Sequence, residues 1–504
     1  MAEVSTPKHS HLLRGGLLAR NVLWSFLSSG LPLIVAIPVM PVLIRSIGTD
    51  RFGVLTLAWA VTGYAGLLDL GLGRALTQVV ARKLGDGEEH RVPDLVWTSL
   101  LLMMAFGVLG TALIMLLSPW ASHHAFRIPQ SLQAETTRAF YLVGLSVPAV
   151  IASAGFRGLL EAHQRFDLVS ILRICTGVFT YIGPLLVLFF SHRLEGVVGV
   201  LVLGRCIGCV VHCWFCLRVV PQLRHGVMWD RSSAGSLLRL GGWMTVTNIV
   251  GPLMVNLDRF VIAALLSVTA VTYYVTPYEM VTKFLLFPAA IVGVAFPAFA
   301  SCYSNDENRA TMLYSRSLKY VFLMLFPIVL LTVTLASTGL RIWLGGDFAE
   351  HSTRVVQWLA LGVLANSLGL VPVSFVQGVG RPDVTAKLHL VELPLYLAIL
   401  FFLIRVGGIE GAAIAWTGRT IVDSVVLSFI ARRFLKTRTL ITAKTKMLLA
   451  TSAVTLILAV SPFDFFPRLA FLFVAIVGFV FVTWFLILTP EERLFAQRLT
   501  IIYR

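Results

Sequence analysis

The sequence predicts an all-α polytopic membrane protein with about 14 transmembrane helices. Hydrophobic residues make up 57% of the 504 residues and charged residues only 13%, and the mean hydropathy is +0.85. Soluble domains usually carry about twice that charged share. Apolar stretches of about 20 residues, the length of a helical span, recur along the chain. Alternating segments of about ten residues, typical of a transmembrane β-barrel, do not occur.

Fourteen apolar stretches define the predicted spans. In chain order they cover 21–44, 53–80, 95–117, 138–159, 168–190, 196–217, 237–266, 271–300, 318–337, 355–377, 387–405, 409–431, 447–463 and 468–488. The segments between them are too short for a large soluble catalytic domain. Residues 1–20 are polar and basic, so we expect no cleavable signal peptide.

Loop charges predict the orientation. The chain has 41 Lys and Arg against 25 Asp and Glu, a net charge of +16. If the N-terminus is inside, cytoplasmic segments hold 26 of the basic residues, outer segments 9 and the spans 6. Cytoplasmic loops of membrane proteins collect Lys and Arg, so this bias predicts that both termini lie in the cytoplasm. It also explains the net charge without a nucleic-acid partner.

A repeat relates spans 1–6 to spans 7–12. The matching landmarks, at offsets of 212 to 219 residues, are Trp24 and Trp243, Arg165 and Arg381, Gly196 and Gly408, Arg205 and Arg419, and Arg218 and Arg432. Units of six spans share one orientation, as in parallel-repeat transporters. We therefore expect two six-helix lobes with a cavity between them, plus two C-terminal helices.

The predicted domains follow from this repeat. They are a cytoplasmic tail at 1–20, an N-lobe at 21–217, a cytoplasmic linker at 218–236, a C-lobe at 237–431, a basic cytoplasmic loop at 432–446, spans 13 and 14 within 447–488, and a cytoplasmic tail at 489–504.

Enzyme and metal signatures are weak. H-E-x-x-H, Walker and suitably placed G-x-S-x-G motifs are absent, so we expect neither an enzyme nor a cofactor. Five residues have metal-like spacing: Cys206, Cys209, His212, Cys213 and Cys216. They fall on one predicted helix, along which the first and last lie about 15 Å apart. We interpret them as a stripe of small packing residues and predict no metal site.

Six basic residues lie inside the predicted spans: Arg74, Arg173, Arg205, Arg259, Lys283 and Arg419. A cation at mid-membrane costs at least about 2.5–3.5 kcal/mol, so it is expected to face a wet cavity or a partner. Arg173 is close to the cytoplasmic end, and we expect it to snorkel. The other five are the candidate substrate-binding cations.

Five acids in the spans are candidates for coupling a proton or sodium ion: Asp69, Asp258, Glu279, Glu392 and Asp423. Glu279 precedes Lys283 by four residues, and Asp423 follows Arg419 by four, so each pair shares a helix face and is expected to interact. Glu392 has only His389 nearby in its span.

Several short motifs occur in order along spans 1–12. They are Phe52-Gly53, Leu68-Asp69-Leu70-Gly71-Leu72-Gly73-Arg74-Ala75, Arg157-Gly158-x-x-Glu161-x-x-Gln164-Arg165-Phe166, Leu257-Asp258-Arg259-Phe260, Trp343-Leu344-Gly345 and Gln377-Gly378-x-Gly380-Arg381-Pro382. Together they resemble polysaccharide flippases of the multidrug/oligosaccharidyl-lipid/polysaccharide superfamily. The two terminal spans depart from the usual twelve and resemble the fourteen-span layout of lipid II flippases.

The resemblance implies a Wzx-like flippase of the cell inner (cytoplasmic) membrane. Such a protein moves undecaprenyl-diphosphate-linked oligosaccharide outward by alternating access, for cell-surface polysaccharide such as O-antigen. Its partners would be the lipid-linked substrate, the bilayer and other polysaccharide assembly proteins. Basic residues in the spans suit a diphosphate, which arginine can bind bidentately. A multidrug cation antiporter of the same superfamily would favour an acidic cavity instead. A membrane-embedded polysaccharide polymerase or ligase would need a larger outer loop.

Overall fold

A computed structural model describes residues 15–226, 235, 253–254, 256–435, 443–460 and 465–494. These residues are helical apart from short connections. Eleven of the described helices are long and apolar enough to cross a membrane, and Met447–Ala459 is a shorter apolar helix. The predicted all-α membrane fold is confirmed. The chain divides into two compact units, residues Met1–Thr272 and Tyr273–Arg504.

The first unit contains seven bounded helices. They are α1 (Gly15–Ile47), α2 (Thr49–Ala65), α3 (Leu72–Gly85), α4 (Val92–Trp120), α5 (Gln130–Ala162), α6 (Phe166–Val187) and α7 (Leu194–Val219). Residues 256–265 are also helical. Glycines allow the closest approaches: a Cβ at Gly158 of α5 would lie 2.7 Å from the carbonyl oxygen of Gly73 in α3. Small residues serve the same purpose in membrane helix pairs generally.

The second predicted span, 53–80, is not one continuous helix. After α2 a 3₁₀ turn covers Gly66–Asp69, and Leu70 and Gly71 have φ values of 49° and 73°. The Asp69 carboxylate accepts hydrogen bonds from the backbone N–H of Gly71 at 2.8 Å and of Gly73 at 3.2 Å. These N–H groups open α3 and have no acceptor in their own helix, so the carboxylate stabilises the break. Glycine takes the left-handed conformation without the steric cost that Leu70 bears.

The second unit is built on long helices. They are α8 (Val268–Val281, which spans the division between the units), α9 (Leu286–Asn305), α10 (Glu307–Trp343), α11 (Gly346–Gly378), α12 (Pro382–Arg432), α13 (Ala443–Ala459) and α14 (Phe465–Val482). Its core is aromatic: the ring of Phe375 lies 5.4 Å from that of Phe299 and 5.3 Å from that of Tyr314, both edge-on. Such pairs stabilise a core beyond the area that they bury.

Spans 11 and 12 form one helical hairpin without a separate loop. Within α12 only Gly408 departs from helical geometry, with φ 58° and ψ −137°. A Cβ on Gly411 would lie 1.9 Å from the carbonyl oxygen of Leu403, so the two halves meet closely at the turn. The chain reverses at Gly408, and residues about equally distant from it on either side come together.

The chain divides into its two units between Thr272 and Tyr273, and the linker at 218–236 stays a prediction. α7 ends at Val219, and residues 227–234 and 236 of that linker and most of span 7 lie outside the described residues. The start of α8 packs on α2: Thr272 Oγ1 donates to the carbonyl oxygen of Thr49 at 2.7 Å, and Thr269 donates to the Asp50 carboxylate. These contacts place residues up to Thr272 with the first unit.

The two units share one local motif at the landmark pair Arg165 and Arg381. Each arginine donates two hydrogen bonds to the aspartate two residues later, Arg165 to Asp167 at 3.0 and 3.0 Å and Arg381 to Asp383 at 3.0 and 3.3 Å. The paired aspartate raises the pKa of Arg165 and of Arg381, both of which lie outside the spans. Each arginine directly precedes a helix, so this part of the predicted repeat is structural. Trp243 lies outside the described residues.

The two terminal helices belong to the second unit. The ring of Phe479 in α14 lies 4.7 Å from that of Phe326 in α10. Beyond α14, Glu492 accepts hydrogen bonds from Lys319 at 2.6 and 2.7 Å, from Tyr320 at 2.7 Å and from the Thr489 N–H at 2.9 Å. Burial opposes the charge of Glu492, but these donors outweigh it and lower its pKa to about 2. The tail is therefore fixed to α10.

Candidate functional site

A cavity of about 840 Å³ lies within the first unit, between α2, α3, α5, α6 and α7. Four arginines line it, each from a different helix: Arg74, Arg157, Arg173 and Arg205. Asp69, Glu161 and His212 are its other ionisable lining residues. Two carboxylates stand against four guanidinium groups, which cannot lose their charge in a protein. The cavity is therefore positively charged.

The helices set the depth of these arginines. Arg205 lies 14 residues from the predicted cytoplasmic end of α7 at Val219, about 21 Å at 1.5 Å per residue. Arg173 lies seven residues from the predicted cytoplasmic start of α6 at Phe166, about 10 Å by the same rise. The arginines therefore extend from near the predicted cytoplasmic side to the middle of the membrane.

Neighbouring groups leave most of this charge free. Asp69 is held by the N–H groups that open α3, and Arg157 is 3.9 Å from Glu161 on the next turn of α5. His212 Nδ1 donates to the carbonyl oxygen of Gly208 at 2.7 Å. Arg205 makes no salt bridge or hydrogen bond with the described residues. Guanidinium groups without fixed acceptors can bind an anionic ligand bidentately.

Two of the predicted cations, Arg74 and Arg205, thus line one cavity. Arg173 lines it as well, because the cavity reaches its position on α6, and the expectation that this side chain snorkels stays a prediction. Arg157 and His212 were missed as site residues. Arg157 does lie in one of the recognised motifs, which is a signal that could have included it.

Two further predicted cations, Arg259 and Lys283, do not line this cavity. Arg259 and Asp258 are 4% and 1% exposed, and the Arg259 N–H donates to the Asp258 carboxylate at 2.8 Å; neither lines the cavity. In the second unit, Lys283 is 3.2 Å from Glu279. The expected interaction between Lys283 and Glu279 is confirmed.

A second cluster of ionisable groups lies in the α12 hairpin. One ligand atom from each of His389, Glu392 and Asp423 falls within 4.8 Å of the others. His389 Nε2 is 3.5 Å from Asp423 Oδ1. Glu392 is 8% exposed, and neither of its carboxylate oxygens has a hydrogen-bond partner among the described residues. A buried carboxylate without a donor is costly, so this cluster is suited to bind a proton or a metal cation.

The expected pairing of Arg419 with Asp423 is wrong. Asp423 turns to His389 across the hairpin, while the Arg419 guanidinium lies 5.3 Å from the ring centre of Tyr396. Arg419 Nε has no hydrogen-bond partner among the described residues. The hairpin offers Asp423 a partner on the opposite half, which residue spacing along one helix does not reveal.

The two ionisable sites occupy matching places in the repeat. The offset of 216 that relates Arg165 to Arg381 also relates Arg173 to His389, and the offset of 214 relates Arg205 to Arg419. By these offsets Thr176 matches Glu392 and Cys209 matches Asp423. The first unit therefore has cations and neutral residues where the second unit has a histidine, an arginine and two acids.

The four cysteines lie along α7 with different environments. Cys206 is exposed, Cys209 and Cys213 are half-buried, and Cys216 is buried with its Sγ 3.3 Å from the carbonyl oxygen of Phe156. The buried thiol packs against α5. This arrangement fits a packing role for Cys216 in particular.

The sequence is similar to a known family and to a named transporter. Residues 18–303 match the family model described as polysaccharide biosynthesis protein. A protein of Shigella flexneri that carries the name O-antigen transporter is 29% identical over 416 residues, which are 82% of this chain and 98% of that protein.

Solved structures share the fold. An inward-facing multidrug resistance transporter of the MATE family has a TM-score of 0.68 at 12% identity, over 81% of this chain and 94% of its own. A transporter of the same superfamily from Pyrococcus furiosus, described as having a binding pocket of reversed polarity, has a TM-score of 0.59 at 14% identity, over 86% and 99%.

Proposed function

The chain belongs to the polysaccharide biosynthesis protein family, and from this premise we propose that it carries a lipid-linked oligosaccharide across the cytoplasmic membrane. The substrate is a saccharide on undecaprenyl diphosphate, and the product is presented on the outer leaflet for surface polysaccharide assembly. The cavity of the first unit is exposed to each side of the membrane in turn. The name of the Shigella flexneri relative supports this substrate class.

The observation that carries the proposal is the cavity lined by four arginines. A diphosphate has several anionic oxygens, and guanidinium groups match them in pairs. At about 840 Å³ the cavity has the size of a small-molecule site. Desolvating a diphosphate in the membrane requires fixed positive charge, and Arg74, Arg157, Arg173 and Arg205 supply it from four helices.

The acids of the α12 hairpin support ion coupling in this proposal. The cluster brings two carboxylates and an imidazole within 4.8 Å of one another, so a bound proton or sodium ion would offset part of its negative charge. The membrane potential also favours outward movement of the anionic substrate, by about 2.3 kcal/mol per charge for each 100 mV. The substrate would thus bind in the first unit and the coupling ion in the second. Asp69 serves the structure of the α2–α3 break instead.

Export of organic cations, as in the multidrug branch of the superfamily, is the alternative function. The arginines disfavour it, because a cation in this cavity would meet like charge. The hairpin acids of the second unit would be the only described cluster suited to such a substrate.

Transport in proteoliposomes tests the proposal. The vesicles contain undecaprenyl diphosphate N-acetylglucosamine, and an impermeant reagent reports the sugar that reaches the opposite leaflet. We expect the full-length protein to accelerate this transfer and not the efflux of ethidium, an organic cation. Ethidium efflux without lipid transfer would overturn the proposal in favour of the cation exporter.

A further inference from the structure

A second, smaller cavity opens between α6 and α7. Its volume is about 220 Å³, and its lining includes Phe179, Thr180, Leu201 and Gly204. Arg173, Thr176 and Arg205 line both this cleft and the large cavity. The two spaces therefore meet at a pair of arginines, and the cleft continues from the cationic site toward the helix pair.

Apart from the two arginines, the lining of the cleft is apolar, although it includes two threonines. Thr176 Oγ1 donates to the carbonyl oxygen of Leu172 at 2.8 Å, and Thr180 Oγ1 donates to that of Thr176 at 2.8 Å. Their hydroxyl groups are satisfied on their own helix. The lining thus offers methyl groups, a phenyl ring and an aliphatic side chain.

A glycine on α7 allows the Phe179 ring of the cleft lining to pack against the α7 backbone. A Cβ at Gly204 would lie 2.3 Å from Cε1 of Phe179, so the ring rests directly on the α7 backbone. The neighbouring α7 residues Leu203 and Ile207 are 56% and 53% exposed, which is the environment of lipid-facing side chains. These exposed apolar side chains lie on the same helix as the cleft-lining residues Leu201 and Gly204.

We propose that the α6–α7 cleft binds the first isoprene units of the polyprenyl carrier while Arg173 and Arg205 bind its diphosphate. This inference rests on the proposed function and adds a site for the lipid tail. In such a lipid the apolar chain is bonded directly to the diphosphate, and the structure places an apolar cleft directly beside unpaired arginine charge. An engineered cavity of about 150 Å³ holds benzene, with six carbons, so 220 Å³ accommodates one to two five-carbon units.

Binding to the purified full-length protein tests the cleft. The probes are geranyl diphosphate, which has two isoprene units, and methyl diphosphate, which has the same head group without a tail. We expect geranyl diphosphate to bind at least about tenfold more tightly, equivalent to about 1.4 kcal/mol. In Thr180→Phe, which fills the cleft and leaves the large cavity lining intact, the two affinities should become equal while that for methyl diphosphate is unchanged.

The matched control is Leu186→Phe, a half-exposed position on the same helix that does not line the cleft. It should keep the tenfold preference. A preference that persists in Thr180→Phe would overturn the tail site, and binding of methyl diphosphate together with intact lipid transfer would leave the proposed function standing. Failure of both probes to bind the wild-type protein would overturn both.

A second measurement does not depend on any variant. A geranyl diphosphate analogue with a diazirine at the end of its tail is photolysed on the wild-type protein, and mass spectrometry locates the label. Labels on residues 176–180 and 201–207 support the site. Labels confined to other helices contradict it.

Discussion

His389 Nε2 lies 3.5 Å from Asp423 Oδ1, although the two residues are on opposite halves of the α12 hairpin. The contact exists because the chain reverses at Gly408 and brings both halves side by side. Asp423 therefore contacts His389 and not Arg419, and the buried Glu392 lies in the same cluster. The tertiary arrangement of this hairpin therefore determines which acids are available to a coupling ion.

Removing the buried Glu392 carboxylate should uncouple transport. We expect Glu392→Gln to lose most of the acceleration that an imposed proton or sodium gradient gives to lipid transfer in proteoliposomes, because the cluster then has one carboxylate instead of two. Glu410→Gln is the control on the same hairpin, since Glu410 is 38% exposed and pairs loosely with Arg354. Equal gradient dependence in Glu392→Gln and the wild type would contradict the coupling role.

The mid-membrane Arg205 should be required for transport through its geometry as well as its charge. We expect Arg205→Ala to lower the transfer rate by at least about tenfold and Arg205→Lys to restore only part of it, because lysine lacks the bidentate fork. The control is Arg218→Ala on the same helix, whose guanidinium lies 3.8 Å from the Trp214 ring and does not line the cavity. Full activity of Arg205→Ala at normal protein levels would remove Arg205 from the site.

Arg419 and Asp423 should behave as independent residues. If they formed a buried ion pair, removing both would restore the stability lost by removing one. Because Asp423 contacts His389 instead, we expect the effects of Arg419→Ala and Asp423→Asn on the melting temperature to add in the double variant. An effect of the double variant that departs clearly from the sum of the two single effects would show a direct pair.

The hydrogen bonds of Glu492 to α10 should make the thermal stability of the protein depend on pH in the acid range. Its pKa is lowered to about 2 from an ordinary 4.5, so the folded state favours the charged carboxylate. This stabilisation is complete above pH 4.5 and is lost as the pH falls toward 2. Thermal unfolding between pH 7 and pH 3 checks it: Glu492→Gln should be less stable at pH 7 and show a smaller acid-induced decrease. Glu491→Gln, at the exposed neighbour, should match the wild type.

The turn at Gly408 should tolerate only glycine. Its φ of 58° with ψ of −137° is strained for any residue with a Cβ, and we expect Gly408→Ala to cost about 1–3 kcal/mol of stability. Gly407→Ala is the matched control, because a Cβ there meets no atom within 4 Å. Chemical or thermal unfolding of the two variants should differ clearly; equal stability would mean that the turn relaxes.

Much of the fold can be predicted from the sequence. Apolar length and low charge determine that this is a helical membrane protein, since the bilayer leaves few other structures for such a chain. The repeat is visible in landmarks such as Arg165 and Arg381, because the same helix-start motif is encoded twice. The basic residues Arg74 and Arg205 can also be recognised in the sequence, because a charge within an apolar span is costly and requires an explanation.

The tertiary structure decided the grouping of those charges. One-dimensional spacing pairs residues on a single helix face, as it did correctly for Glu279 and Lys283, but it cannot show which helices pack together. Arg173 lines the cavity because the cavity extends along α6. Asp423 contacts His389 and not Arg419 because the hairpin reverses at a single glycine. Distances between helices depend on packing, and packing is a property of the folded chain rather than of any one segment.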